Sequence, residues 1–177
     1  MAAAGPRVPR GAPGARDGGR GGGPHPPFFI GGGGRATLEL AAREAQTIGL
    51  APRILRGGVA DPRSFTWAAT EEKIGWVREA AGERFESLTF NVYPSFWPVT
   101  VTDDLDAEAQ RVVAALRERS GFELTVQEVI DSPHIFIGSH ERFVEKFTEL
   151  RDQLGISSFL VGDLDLLGPV VEQLAGS

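Results

Sequence analysis

The 177-residue chain contains no cysteine. That absence removes thiol nucleophiles, disulfides and thiolate metal sites together. Histidine is scarce too: His25, His134 and His140 are the only three, too scattered to suggest a metal cluster. No apolar run approaches the roughly 20 residues a membrane helix needs. The N-terminus lacks the apolar core of a secretory signal. A soluble cytoplasmic protein with no membrane partner is the expectation. Positive charge is in deficit, with a formal net charge of -6, so nucleic acid is a poor partner. What is present, 41% hydrophobic and 24% charged residues, suits a soluble globular protein of one domain.

These totals conceal a break in composition. In residues 1–27, 23 positions are Gly, Ala, Pro or Arg, and none is aromatic. The segment holds four arginines and one acid, Asp17, so residues 28–177 carry about -9. So little apolar surface cannot offset the entropy of ordering the chain, and the segment reads as a disordered leader. A basic arm for nucleic acid is the sharper alternative.

The most informative stretch follows directly. Phe28-Phe29-Ile30, behind Pro26-Pro27, reads as a buried strand, and Leu38-Glu39-Leu40-Ala41-Ala42 opens a helix. Between them stand Gly31, Gly32, Gly33 and Gly34, then Arg35. Glycines expose a backbone that a phosphate can approach, and a helix start adds unpaired N–H groups and a positive dipole end. An anion at a strand-to-helix turn is the firmest functional expectation.

Strand and helix then alternate. The patterns predict a helix over 35–46, a strand at 48–50, and a Gly/Pro/Arg-rich loop over 51–65. A helix over 68–81 is ended by Gly82, and a strand covers 88–92. A long excursion runs from Tyr93 to Pro133. It opens on the aromatic Tyr93-Pro94-Ser95-Phe96-Trp97-Pro98 and carries a helix from Asp106 to about Arg119, then a helical turn near 125–130. Ser139 caps an amphipathic helix with Phe143, Val144, Phe147, Leu150 and Leu154 inward. A strand at 156–161 and a helix at 164–174, interrupted by Pro169, close the chain. The order points to β/α units on a parallel sheet.

Two folds follow a strand with a glycine-rich phosphate turn. Gly31-x-Gly33-x-x-Ala36 matches a loose dinucleotide fingerprint of the doubly wound fold. That fold expects an acid at the end of the second strand, where this chain has Ala51-Pro52-Arg53. The other option is a TIM-type (β/α) barrel, where phosphate sites on later β/α loops are common.

Several blocks resemble the luciferase-like monooxygenase superfamily, nearest its deazaflavin (coenzyme F-420)-dependent branch. They are Pro26–Gly34 running into Leu38–Ala45, the helix Thr70–Gly82, Asp131–Ser139 and Gly155–Ser158. The resemblance spans roughly residues 24–176, and no single block is specific; their order is. Members are eight-stranded barrels, typically of about 250 residues. The four strands here resemble the last four. The resemblance therefore implies an α/β partial TIM barrel over residues 28–177, with a helical insertion before the last strand. The half that carries most catalytic residues of such an enzyme has no counterpart in this sequence.

The resemblance further implies that Gly31, Gly32, Gly33 and Gly34 hold a cofactor phosphate through backbone N–H groups, with Arg35 adding charge or standing in solvent. The cofactor it implies is coenzyme F-420, or alternatively FMN. Strand ends line a barrel's pocket, which nominates Leu50, Val92 and Tyr93, with Gly49 and Asn91 beside them; Leu50 and Val92 also read as plain core. Phe96 and Trp97 either form an apolar lid over cofactor and substrate or pack the insertion against the barrel. Surface or supporting positions are expected for His134 and His140. The acid pairs Asp103-Asp104 and Glu71-Glu72 read as helix starts, where the dipole favours them. The implied chemistry is hydride transfer to, or monooxygenation of, a small organic substrate. Alone, the half-barrel is expected to be inactive, and its open edges invite a homodimer or pairing with a missing half-barrel. A non-catalytic phosphate-binding half-barrel and a small doubly wound nicotinamide enzyme are the competing readings.

Overall fold

Four parallel strands laid side by side in chain order frame the molecule. The computed structural model describes residues 26–162 and 164–175. The leader expected over residues 1–27 lies outside them, apart from Pro26 and Pro27. In chain order the elements are β1 (Phe29–Gly32), α1 (Arg35–Glu44), β2 (Thr47–Leu50), α2 (Trp67–Ala81) and β3 (Thr89–Val92). The insertion follows as β4 (Thr100–Val101), α3 (Leu105–Ser120), α4 (Val126–Asp131) and β5 (Ile137–Gly138). Then come α5 (His140–Leu154), β6 (Ile156–Phe159) and α6 (Leu164–Leu174).

The sheet order is β1-β2-β3-β6, every pairing parallel. A doubly wound sheet sets its first strand in the middle, with the order reversing around it. Here β1 is at the edge and the order never reverses, which is the winding of a (β/α) barrel not closed among the described residues. The arrangement is a partial, unclosed TIM-like barrel with helical insertions.

Alternation along the strands assigns their faces, except that a register shift between β3 and β6 sets Ser158 opposite Asn91. Ile48, Leu50, Phe90, Val92 and Ile156 are buried in one core with Leu38 of α1, Val77 of α2 and Phe143, Phe147 and Leu150 of α5. The opposite, inward face of the sheet falls to Phe29 and Gly31, Thr47 and Gly49, Thr89 and Asn91, and Ser158. Gly31, Gly49, Asn91 and Ser158 share one level across the four strands. At that level the ring of Phe29 lies so close over Gly49 that an added Cβ would meet it at 2.8 Å. Asn91 Nδ2 donates to Ser158 Oγ at 2.9 Å.

β1 departs from the buried strand expected. Phe28 is 50% and Phe29 58% exposed, because β1 is an edge strand whose outer side meets no neighbour among the described residues.

The insertion has its own core. Phe65, Ala109, Val112, Leu116, Val129, Ile135 and Ile137 pack together, with Phe96 and Trp97 against them. β4 and β5 form a separate two-stranded parallel ladder that ties the start of the insertion to its end. Local chemistry explains the ends. Thr125 and Glu128 form a capping box at α4, Ser139 accepts from Arg142 N to cap α5, and Gly121 and Gly155 end their helices in the left-handed conformation. Asp104 caps α3 by accepting from Ala107 N. Thr66 performs that role for α2, accepting from Ala69 N at 3.2 Å. α2 therefore starts at Trp67, and Glu71 and Glu72 stand in its second turn rather than at its start.

Candidate anion-binding site

Because the strands are parallel, the segments that follow them, 33–34, 51–66, 93–99 and 160–162, gather at one edge of the sheet. That edge is where (β/α) barrels carry their sites. The glycine run divides there. Gly31 and Gly32 belong to β1 and pair with Gly49 and Leu50. Gly33 and Gly34 make the turn into α1. None of the four has a positive φ, so closeness, rather than an unusual backbone, is what glycine supplies. At Gly33 a Cβ would run into the Pro52 carbonyl, and at Gly32 it would meet the Thr37 side chain. At Gly34 a Cβ would meet nothing within 4 Å. Gly34 is the N-cap of α1, with φ -102° and ψ 148° and no side-chain cap. The start of α1 thus presents its backbone N–H groups without a competing side chain.

Arg35 turns along the helix surface. It donates to Glu39 Oε1 at 2.8 Å and Glu79 Oε2 at 3.0 Å, clamping α1 to α2, and its guanidinium stands 5.9 Å from the Trp76 ring centre. The cations that line the cavity beside the glycine turn come from elsewhere: Arg53, Arg63 and Lys73. This cavity, of about 150 Å³, also touches Gly33, Ser64 and Trp76. Arg53 pairs with Asp61, and Asp61 also accepts from Arg63 N. Lys73 is 2% exposed and donates to the Ala51 and Ser64 carbonyls at 2.8 and 2.9 Å. Burial, with Arg53 adding to it, pushes Lys73 down to about 8.

The other nominated residues divide between core and surface. Leu50 and Val92 are fully buried on the helix-facing side of the sheet; the inward face at their level falls to Gly49 and Asn91. Tyr93 is half-buried at the exit of β3. Phe96 and Trp97 line an open groove of about 480 Å³ between the start of the insertion and Val161 and Leu166 beyond β6. The two rings stack at 6.4 Å, Phe96 meets Phe65 edge-on at 5.8 Å, and Trp97 Nε1 donates to Glu108 Oε1 at 2.9 Å. These contacts pack them into the insertion while leaving one side on the groove.

His134 is completely buried. Its Nε2 is 3.4 Å from Thr70 Oγ1, Nδ1 makes no hydrogen bond of good geometry among the described residues, and its carbonyl accepts from Ser95 N. Burial first, then the charge of Lys73, pushes it down to about 3. It is a neutral core residue, and a loop position after Pro133 gave no sign of that. His140 Nε2 lies 3.0 Å from the Leu166 carbonyl, tying α5 to α6. Lys146, fully enclosed in α5, donates to the Ile130 and Ile135 carbonyls at 2.8 and 2.7 Å. Sequence reasoning missed both buried lysines, since amphipathic spacing treats lysine as solvent-facing. Among the described residues no group of three His, Cys, Asp or Glu could hold a metal ion, and no helix is long and apolar enough to cross a membrane.

The fold and this edge define the class: an α/β protein built on part of a (β/α) barrel, with a helical insertion and a glycine turn at the strands' C-terminal edge. No family model matches the chain, and no curated protein does. Among the solved structures that resemble it in part are the following two. One is a long-chain alkane monooxygenase, 13% identical with a TM-score of 0.45, where the match covers 84% of this chain and 41% of that one. The other is an F420-dependent secondary alcohol dehydrogenase in complex with an F420–acetone adduct, 14% identical with a TM-score of 0.46, covering 86% and 48%. The chain spans less than half the length of either.

Proposed function

We propose that this chain is the phosphate-binding half of a luciferase-like barrel oxidoreductase that uses coenzyme F-420, with FMN as the alternative. The observation that carries the reading is the Gly33–Gly34 turn. It joins an edge strand of a sequentially wound parallel sheet to a helix start that has no side-chain cap. The resemblance of the glycine stretch, the α2 helix and the 131–139 block to that superfamily supports the cofactor class. The residues fit a phosphate: the space where a Cβ of Gly34 would stand is open, and Gly33 borders a cavity lined by three cations, Arg53, Arg63 and Lys73, against two carboxylates, Asp61 and Glu72.

When bound, either cofactor would supply the redox chemistry, and a deazaflavin would supply a hydride. This chain's own residues would bind and orient. The α1 N-terminus would take the phosphate, the Gly31–Gly49–Asn91–Ser158 level would face the ring system, and the Phe96–Trp97 groove would receive the organic substrate. The inward face carries Phe29, Gly31, Thr47, Gly49, Thr89, Asn91 and Ser158, none of which titrates as an acid or base near neutral pH. Chemistry therefore awaits groups from a further half-barrel. That same observation favours a second reading, a half-barrel that binds phosphate and pairs with another half without catalysing anything itself.

Fluorescence titration of the purified chain with coenzyme F-420 and with FMN tests the proposal. Saturable binding of one of them supports the cofactor reading and names the cofactor. A folded chain that binds neither leaves that reading without its basis.

A further inference from the structure

The cavity between the glycine turn, the 51–66 segment and α2 holds a buried cation that its surroundings only partly satisfy. An ammonium has three N–H donors. Lys73 Nζ gives two of them to the Ala51 and Ser64 carbonyls, and no carboxylate lies within ion-pair distance among the described residues. A buried ammonium needs an opposite charge or a full set of acceptors to offset its lost hydration. The two nearby acids do not serve. Asp61 is engaged by Arg53 and by Arg63 N, and Glu72, which lines the rim of the cavity, is exposed to solvent and forms no ion pair with Lys73 among the described residues. Arg63 also lines the cavity, its guanidinium resting 4.5 Å from the Phe122 ring centre with no ion-pair partner among the described residues. Arg53, Arg63 and Lys73 against Asp61 and Glu72 leave the cavity one positive charge in excess. Its 150 Å³ equals about five waters' share of liquid, enough for a tetrahedral oxyanion.

We infer that this cavity is an oxyanion seat in which Lys73, with Arg63 at the rim, neutralises the phosphate that the glycine turn receives. The inference rests on the phosphate reading of that turn. It moves the neutralising charge from Arg35, which is committed to Glu39 and Glu79, to a residue two elements further along the chain. Gly33 is common to both, since it forms the turn and borders the cavity. Trp76 walls the same space, and the Arg35 guanidinium beside it fixes that wall to α1.

The test is a thermal-shift titration of the full chain with inorganic phosphate, against chloride at equal ionic strength. It is repeated on Lys73→Met and Arg63→Gln, followed by FMN and riboflavin on all three proteins. Arg63 is on the surface, so Arg63→Gln keeps the test valid if Lys73→Met fails to fold. The expected result is stabilisation of the wild type by phosphate, weakened about ten- to hundredfold in each variant that folds, as removal of one charge-assisted hydrogen bond implies. FMN affinity would fall in parallel while riboflavin affinity holds. Phosphate and FMN bound equally well by wild type and variants would overturn the seat and leave the cofactor reading intact. No phosphate response in the wild type would overturn it as well. Phosphate binding that depends on Lys73 and Arg63, with no binding of FMN or coenzyme F-420, would uphold the seat and remove the cofactor reading.

Discussion

Replacing Gly34 with Asp separates folding from binding at the proposed site. Gly34 has φ -102° and ψ 148°, which any residue adopts, and a Cβ there touches nothing within 4 Å. As the N-cap of α1, an aspartate would accept from an N–H of the first turn. That gains a few tenths of a kcal/mol over glycine, and its charge adds about 0.3–1 kcal/mol against the helix dipole. The sum, about 1 kcal/mol, corresponds to a Tm increase of about 2–4 °C for a chain of this size. The same carboxylate occupies the N–H groups a phosphate needs. At about 4 Å it repels each unit of phosphate charge by about 4 kcal/mol at an effective dielectric constant near 20, roughly a thousandfold in affinity. Calorimetric melting and titration with FMN or coenzyme F-420 measure both effects. A variant that melts higher and binds about a thousandfold more weakly supports the reasoning. A lower Tm would refute the helix-start geometry, and unchanged affinity would refute the phosphate site.

Three further outcomes follow from other parts of the molecule. Gly33→Ala forces a Cβ against the Pro52 carbonyl, so it should lower stability by about 1–3 kcal/mol; a denaturation midpoint equal to the wild type's would contradict the close approach. Glu108→Ala removes the buried acceptor of Trp97 Nε1, costing about 1–3 kcal/mol and releasing the Trp97 ring, readable as a shift in tryptophan emission. Lys146, enclosed and facing Arg142, Asp131 and Glu149, is pushed by burial from 10.5 down to about 7. Between those values the unfolded chain binds a proton that the folded chain does not, so stability should rise with pH across that window. Urea denaturation at its two ends should show the rise, and Lys146→Met should flatten it; a slope that the variant leaves unchanged would place its origin elsewhere.

The main units were legible because their signals are local. The ends of α5 stand where Ser139 and Gly155 mark them, and the four sheet strands lie within a residue or two of their apolar runs. β4 and β5 were not legible, since two residues carry no periodicity and their pairing joins positions far apart in sequence. The start of α2 was read a residue late because it was set by apolar periodicity, whereas the Thr66 cap starts the helix at Trp67. At the site, the glycine turn was legible from composition. The cavity beside it was not, because Arg53, Arg63 and Lys73 come from a loop, a short 3-10 turn and a helix that only the fold brings together. The direction of Leu50 and Val92 was equally hidden, for a strand's sequence does not say which of its faces meets the helices.

The phosphate proposal places a cofactor phosphate on backbone N–H groups of the Gly33–Gly34 turn and the first turn of α1. Amide chemical-shift mapping of the isotopically labelled chain, titrated with coenzyme F-420 and with FMN, tests it most directly. The largest shifts are expected on Gly33, Gly34, Arg35 and Ala36, with inorganic phosphate reproducing that subset. Binding whose largest shifts fall elsewhere, or no shift at these four amides in a folded chain, would contradict it.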